Sequence, residues 1–235
     1  MTGKLFLVPS YLSGDNDLQF LTPQVLEVVS NCSHYFVENT RSARRFISSL
    51  GAGIVIDDLS FYILDKNSSW DDMYPLFDPI REGMDMAIIS EAGVPCLADP
   101  GNIAVTFAHQ TGIRVVPIPG ASSIQLALIA SGFNGQQFTF HGYLPIDKAE
   151  RRKKIQALER SARTGHTQLF METPYRNQKL LEDLLHICIG TTLLSIAADV
   201  TGSREKISTK SIAQWKSTRT DIHKIPAIFS FGQFP

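Results

Sequence analysis

The chain has 235 residues, 19% of them charged, and a formal net charge of -1. That length holds one large or two small domains and buries a substantial core, while the near-neutral balance excludes a global basic field and leaves only a local basic face for a polyanion. The three cysteines, Cys32, Cys96 and Cys188, are odd in number and far apart, with no C-x-x-C pair and no His cluster beside them, which fits a reduced, cytoplasmic compartment and no metal site.

Met1 to Pro9 carries one lysine and a short apolar run, too short for a secretory signal. No apolar stretch reaches the roughly 18 to 20 residues of a membrane span, so a soluble chain without a membrane partner is expected. In chain order, strand-length apolar runs fall at Leu5 to Val8, Tyr35 to Val37, Met86 to Ile89 and Val115 to Ile118. Helix-period segments separate them at Pro23 to Ser30, Arg41 to Leu50, Ser68 to Arg81 and Asn102 to Gln110. The alternation predicts a parallel sheet crossed by helices. After the Pro117-Ile118-Pro119-Gly120 punctuation a helix is expected over Ser122 to Ala130, and the character changes. Strands are predicted near Phe138 to His141, Gln168 to Met171, Leu193 to Ala197, Glu205 to Ser208 and Ala227 to Phe231, with helices over Ala149 to Ala162 and Asn177 to Ile189. The closing strands have little helix between them, which predicts a mixed sheet. The expectation is two α/β domains, 1–118 and 119–235.

The most informative stretch is Met86 to Gly101, M-A-I-I-S-E-A-G-V-P-C-L-A-D-P-G. A buried strand ends in a loop of Gly, Pro and small residues and then a helix begins. In an open α/β sheet a ligand sits beyond the carboxyl ends of the strands, and small residues let backbone approach it closely; an ordinary strand-to-helix connection has the same composition. Three further loops punctuate the chain: Val8-Pro9-Ser10 with Ser13-Gly14-Asp15, Pro119-Gly120-Ala121-Ser122-Ser123, and Met171-Glu172-Thr173-Pro174-Tyr175-Arg176. The phosphate-cradling G-x-x-x-x-G-K-[ST], the dinucleotide G-x-G-x-x-G, G-x-S-x-G and H-E-x-x-H are all absent, which removes support for nucleotide hydrolysis and hydride transfer.

The order and wording of these loops, with Phe140-His141-Gly142-Tyr143-Leu144-Pro145 between the last two, resemble the tetrapyrrole methylase superfamily, and within it the ribosomal RNA small-subunit methyltransferase I branch. Its Ser-Asp-Ala-Gly-Thr-Pro segment leading to Asp-Pro-Gly is matched by Ser90 to Pro95 and Asp99 to Gly101. Its Val-Val-Pro-x-Pro-Gly is matched by Val115 to Gly120. Three segments depart. Pro-Ile-Gly-Asn gives way to Pro9 to Asp15, Glu-Asp-Thr-Arg to Glu38-Asn39-Thr40-Arg41, and Arg-Glu-Leu-Thr to Ala198-Asp199-Val200-Thr201.

The resemblance implies a homodimer of two α/β domains that binds S-adenosylmethionine in a cleft between them and methylates RNA, a ribose 2'-hydroxyl of ribosomal RNA in this branch. It implies cofactor contacts from Pro9, Ser90, Glu91, Ala92, Gly93, Val94, Pro95, Leu97, Ala98, Asp99, Gly101, Ser122, Ser123, Met171, Pro226 and Ala227, and acceptor contacts from Asn39, Thr40, Tyr175 and Arg176. Met171 at a strand end is equally a core residue, and the serine pair equally a helix cap. Glu38, at the end of a buried strand, is the expected proton acceptor, with Arg41 beside it; pairing with Arg41 or Arg44 is its plain structural alternative. The basic run Lys148, Arg151, Arg152, Lys153, Lys154 reads as a solvated helix face or an RNA contact. A small tetrapyrrole-like acceptor, or cofactor binding without transfer, are the competing readings.

Overall fold

The computed structural model describes residues 2–13, 18–65 and 68–234. Gly14 and Asp15 of the first loop motif lie outside them. Contacts divide the chain into two compact units, Met1–Ser122 and Ser123–Pro235, against 118/119 expected from the sequence.

The first unit is a five-stranded sheet of β1 (Lys4–Val8), β2 (His34–Val37), β3 (Ser60–Ile63), β4 (Met86–Ile89) and β5 (Arg114–Pro117), in the order β3-β2-β4-β1-β5. All its pairings are parallel. Successive side chains alternate between faces, so Tyr35, Val37, Ala87 and Ile89 pack on one side with Val25 and Val29 of α1 (Pro23–Asn31) and Phe46 and Ile47 of α2 (Thr40–Ser49). Phe36, Met86 and Ile88 pack on the other with Met73 of α3 (Trp70–Leu76), Ile80 of α4 (Asp78–Arg81) and Phe107 of α5 (Asn102–Gln110). Two-faced burial explains why β4 reads as an unbroken apolar run, all four residues being buried.

The chain leaves β1 toward β2 and leaves β4 toward β5, so neighbouring strands send their crossovers in opposite directions. Their carboxyl ends form the topological switch point, where such sheets bind ligands. The segment Ser68 to Arg81, expected as one helix, is two: Pro79 cannot donate an amide to continue α3, and Phe77 (φ -94, ψ 8) breaks the path between them. Edge strand β3 was not expected; it is short, and its residues are half-buried or exposed.

The second unit opens with α6 (Ser123–Ser131) and holds a second five-stranded sheet of β6 (Phe138–Tyr143), β7 (Thr167–Met171), β8 (Leu193–Ala198), β9 (Lys206–Ser211) and β10 (Ala227–Gly232), in the order β6-β7-β10-β8-β9. β6 and β7 pair in parallel, whereas β10 pairs antiparallel with β7 and β8, and β9 antiparallel with β8, which makes the sheet mixed. Helices α7 (Lys148–Ala162), α8 (Asn177–Ile187) and the short α9 (Ile212–Lys216) bury Ile155, Leu158, Leu181, Leu184 and Trp215 against Phe170, Phe229 and Phe231. Among the described residues no helix is long and apolar enough to cross a membrane.

Candidate functional site

Three loops meet at the switch point through backbone hydrogen bonds. After β1, the Ser10 amide donates to the Gly93 carbonyl at 3.0 Å, and the Gly93 amide returns a bond to the Tyr11 carbonyl at 3.2 Å. After β5, the Ala121 carbonyl accepts from the Val94 amide at 3.1 Å. The buried Ser90 hydroxyl donates to the Gly93 carbonyl at 2.5 Å. Gly93 sits at φ +72, and an added Cβ would stand 2.6 Å from Leu12 Cδ2 and 2.8 Å from the Ala121 oxygen. Only glycine lets the three loops close on one another here. The structure thereby brings Pro9, Ser90, Gly93, Val94 and the Ala121-Ser122 end of the first unit to one place.

The rest of the β4 loop is shaped by Asp99. Its Oδ2 accepts from the Cys96 amide and its Oδ1 from the Gly101 amide, both at 2.8 Å. Those bonds hold Cys96 (φ 65) and Ala98 (φ 70) in the left-handed region. Pro95 and Gly101 are buried beneath the loop, whereas Glu91, Ala92, Leu97 and Ala98 are exposed on it.

Beside this loop lies a cleft of about 880 Å³ whose walls include Glu38, Asn39, Asp65, Glu91, Ala98 and Asp99. Glu38 directly follows β2 and is half-buried, and its Oε1 accepts the Glu91 amide at 3.4 Å. Burial pushes the Glu38 carboxyl above its ordinary value; the Glu91 amide opposes the rise, and the Asp99 and Glu91 carboxylates add to it. Neither Arg41 nor Arg44 pairs with it. Arg44 binds Asp57 at 2.5 Å, and the exposed Arg41 side chain has no partner among the described residues. Asn39 caps α2, its side chain accepting from the Arg41 amide at 2.9 Å and the Ser42 amide at 3.2 Å. Thr40 opens that helix.

In the second unit Met171 lies opposite Ile228, one step from the buried Ala227. The Pro226 carbonyl accepts from the Asp199 amide at 2.9 Å. The three expected apolar contacts thus gather at one end of the sheet. Ser123 is the first residue of α6. Tyr175 is 72% exposed, with the Lys224 ammonium 5.7 Å from its ring centroid. Arg176 is not free: it donates to Oε1 of the buried Glu172 at 2.5 Å. In the basic run Arg151 is engaged with Asp183 at 2.7 Å, while Arg152 and Lys153 are exposed. His141 bonds Gln168 within the sheet at 2.8 Å. Among the described residues no group of three His, Cys, Asp or Glu is placed to hold a metal ion.

Sequence reasoning assigned no role to Ser10, Ser42 or Asp65. Ser42 donates to Glu91 at 3.1 Å, and Asp65 reaches the cleft because β3 carries it there. The aromatic and β-branched run Phe61-Tyr62-Ile63 was the available signal for that strand.

The family model described as Tetrapyrrole (Corrin/Porphyrin) Methylases matches residues 14–215. Proteins named ribosomal RNA small subunit methyltransferase I are similar: that of Vibrio cholerae is 30% identical over 89% of this chain and 69% of its own length, and that of Haemophilus influenzae 30% identical over 92% and 73%. Among solved structures, the methyltransferase CobJ superposes with TM-score 0.64 at 16% identity, covering 99% of this chain and 95% of its own. The cobalt precorrin-4 methyltransferase CbiF superposes with TM-score 0.61 at 14% identity over 97% and 94%. With its parallel first sheet, mixed second sheet and glycine-centred switch point, the chain belongs to the tetrapyrrole methylase family.

Proposed function

We propose that this chain transfers the methyl group of S-adenosylmethionine to a ribose hydroxyl of small-subunit ribosomal RNA, working as a homodimer in the cytoplasm. The observation that carries the reading is the closure of three loops around Gly93 at the switch point, beside a cleft holding the half-buried Glu38. The names of the relatives support the ribosomal acceptor.

The first unit fits such a donor. A Cβ at Gly93 would collide with both neighbouring loops, so what these loops offer at the strand ends is backbone, the usual partner of a nucleoside and an amino-acid carboxylate. Pro9, Ser90, Glu91, Ala92, Gly93, Val94, Pro95, Leu97, Ala98, Asp99, Gly101, Ser122 and Ser123 are the residues we assign to holding it, with Met171, Pro226 and Ala227 as the second unit's candidates. When bound, S-adenosylmethionine supplies an electrophilic methyl group. The chain's part is to fix the acceptor in line with it and exclude water, which carries much of the rate of a displacement. Glu38 accepts the hydroxyl proton at a carboxylate oxygen, and its raised pKa makes it a better base than a solvated glutamate. Asn39 and Thr40 start the helix beside it, and Tyr175 offers an exposed ring on which an unpaired base can stack.

The test is incubation with methyl-labelled S-adenosylmethionine and separated RNA, protein and small-molecule fractions from cells. Label is expected in small-subunit ribosomal RNA. Label confined to porphyrins, or absent from every fraction despite donor binding, overturns the acceptor assignment.

A further inference from the structure

A second groove of about 390 Å³ adjoins the acidic cleft and shares Glu91 with it. Its walls come from the β1 loop, from α2 and from the first residues of the β4 loop, and include Ser10, Tyr11, Ser42, Arg45, Ser90 and Glu91. The two spaces differ in charge. Among the described residues, the carboxylates of Glu38, Asp65, Glu91 and Asp99 and no cation line the larger one, whereas Arg45 and Glu91 are the charged residues lining the smaller.

α2 holds three arginines and no acid. Arg44 is satisfied by Asp57. Arg45 is exposed without a partner among the described residues, and so is Arg41, which lies one turn earlier on the same helix face. A second, independent feature marks the groove. Ser10 is only 5% exposed, and its Oγ has no hydrogen-bond partner among the described residues. A buried hydroxyl without a partner costs free energy unless something in the groove completes it.

We infer that this groove is a phosphate subsite, where Arg45, supported by Arg41, and the Ser10 hydroxyl hold a backbone phosphate of the acceptor RNA next to the nucleotide being methylated. Guanidinium groups suit phosphate oxygens because their donors form a planar fork. The Glu91 and Asp99 carboxylates next door repel a phosphate, so the chain of the acceptor is oriented: sugar and base toward Glu38, phosphate toward α2. In a protein of net charge -1 this local pair supplies positive charge that the composition conceals. The inference rests on the RNA reading above.

The experiment measures binding of a single-stranded ribo-oligonucleotide taken from small-subunit ribosomal RNA, by fluorescence anisotropy over a salt series, for the parent, Arg45→Gln, Ser10→Ala and Arg44→Gln. Arg45→Gln is expected to weaken binding roughly tenfold at low salt and to lower the slope of log affinity against log salt by about 0.7, the release of one phosphate contact on a single strand. Ser10→Ala weakens binding less and leaves the slope alone. Arg44→Gln removes the same charge from the same helix and keeps the parent slope. Donor binding by calorimetry stays at the parent value in all three variants. Equal slopes for Arg45→Gln and Arg44→Gln, with RNA still bound and methylated, overturn the subsite and leave the acceptor reading intact. Loss of affinity for a carboxylated porphyrin with RNA binding untouched also overturns it. No RNA binding by the parent removes the acceptor reading and this inference together.

Discussion

Glu38 and Glu91 are joined across adjacent strands: the Glu91 amide reaches Glu38 Oε1 at 3.4 Å, tying the end of β2 to the start of the loop after β4. The contact fixes a carboxylate at the mouth of the cleft while leaving its second oxygen available. Because burial dominates the environment of Glu38, its carboxylate holds a proton more tightly than a solvated glutamate does.

The pH dependence of Glu38 follows with a definite sign. A carboxyl whose pKa is raised on folding binds its proton more tightly than in the unfolded chain, so stability falls as pH rises from the ordinary glutamate range through the raised value and is level above it. Glu38→Gln removes that penalty and keeps an acceptor for the Glu91 amide. The variant should melt above the parent at neutral pH, with the gap closing in acid below the ordinary glutamate value. Turnover moves the other way, falling by about 10²-fold to 10⁴-fold with loss of the acid limb of kcat. Melting curves at several pH values and single-turnover methylation check both, and unchanged turnover removes Glu38 from the mechanism.

Gly93 and Gly112 separate backbone strain from collision. Both sit at φ +72, but a Cβ at Gly112 meets nothing within 4 Å, while at Gly93 it meets Leu12 and the Ala121 oxygen. Gly112→Ala should cost about 1 to 2 kcal/mol of stability, the left-handed penalty alone, and leave donor affinity unchanged. Gly93→Ala pays the same strain, forces the three loops apart, and should lose donor affinity at least tenfold. Calorimetric titration of S-adenosylmethionine decides between them; parent-like affinity in Gly93→Ala would contradict the assigned pocket.

Much of this was legible in the chain because it depends on local chemistry. The unbroken run Met86 to Ile89 announces a strand buried on both faces, and the Ser90 to Gly101 loop announces close backbone packing. What could not be read is long-range. The run Phe61-Tyr62-Ile63 marks a strand, but nothing near Asp65 shows that β3 pairs beside β2 and so carries it to the cleft wall. Likewise Arg44 and Arg45 are neighbours of identical chemistry, and only the fold decides that one meets Asp57 and the other lines the groove. Asn39, standing where the family has Asp, keeps the capping function because either side chain presents an oxygen to the first amides of α2.

Asp99 is expected to act on the loop and not on the chemistry. Its two oxygens are committed to the Cys96 and Gly101 amides, which hold the left-handed residues Cys96 and Ala98. Asp99→Ala leaves both amides without a carboxylate and should cost about 2 to 4 kcal/mol. Hydrogen exchange at Cys96 and Gly101 should accelerate while exchange in β2 and β5 stays at the parent rate. Exchange unchanged at both amides would show that another group satisfies them.

Arg151 and Asp183 provide the last test, in the second unit. Both side chains are nearly buried, 13% and 11% exposed, and the guanidinium donates to Asp183 Oδ2 from Nε at 2.9 Å and from Nη2 at 2.7 Å. Its Nη1 also donates to the Pro145 and Ile146 carbonyls, so the pair clamps the turn between β6 and α7. Removing one partner strands a buried charge: Asp183→Ala should cost about 3 to 5 kcal/mol, and an Arg151→Met, Asp183→Leu double variant should recover much of it. Urea denaturation measures this. The same geometry withdraws Arg151 from the basic run, so Arg151→Gln should destabilise the protein yet keep the parent salt dependence of RNA binding, whereas the exposed Arg152 and Lys153 are free to alter it. A lower salt slope in a folded Arg151→Gln protein would mean that this guanidinium reaches phosphate after all.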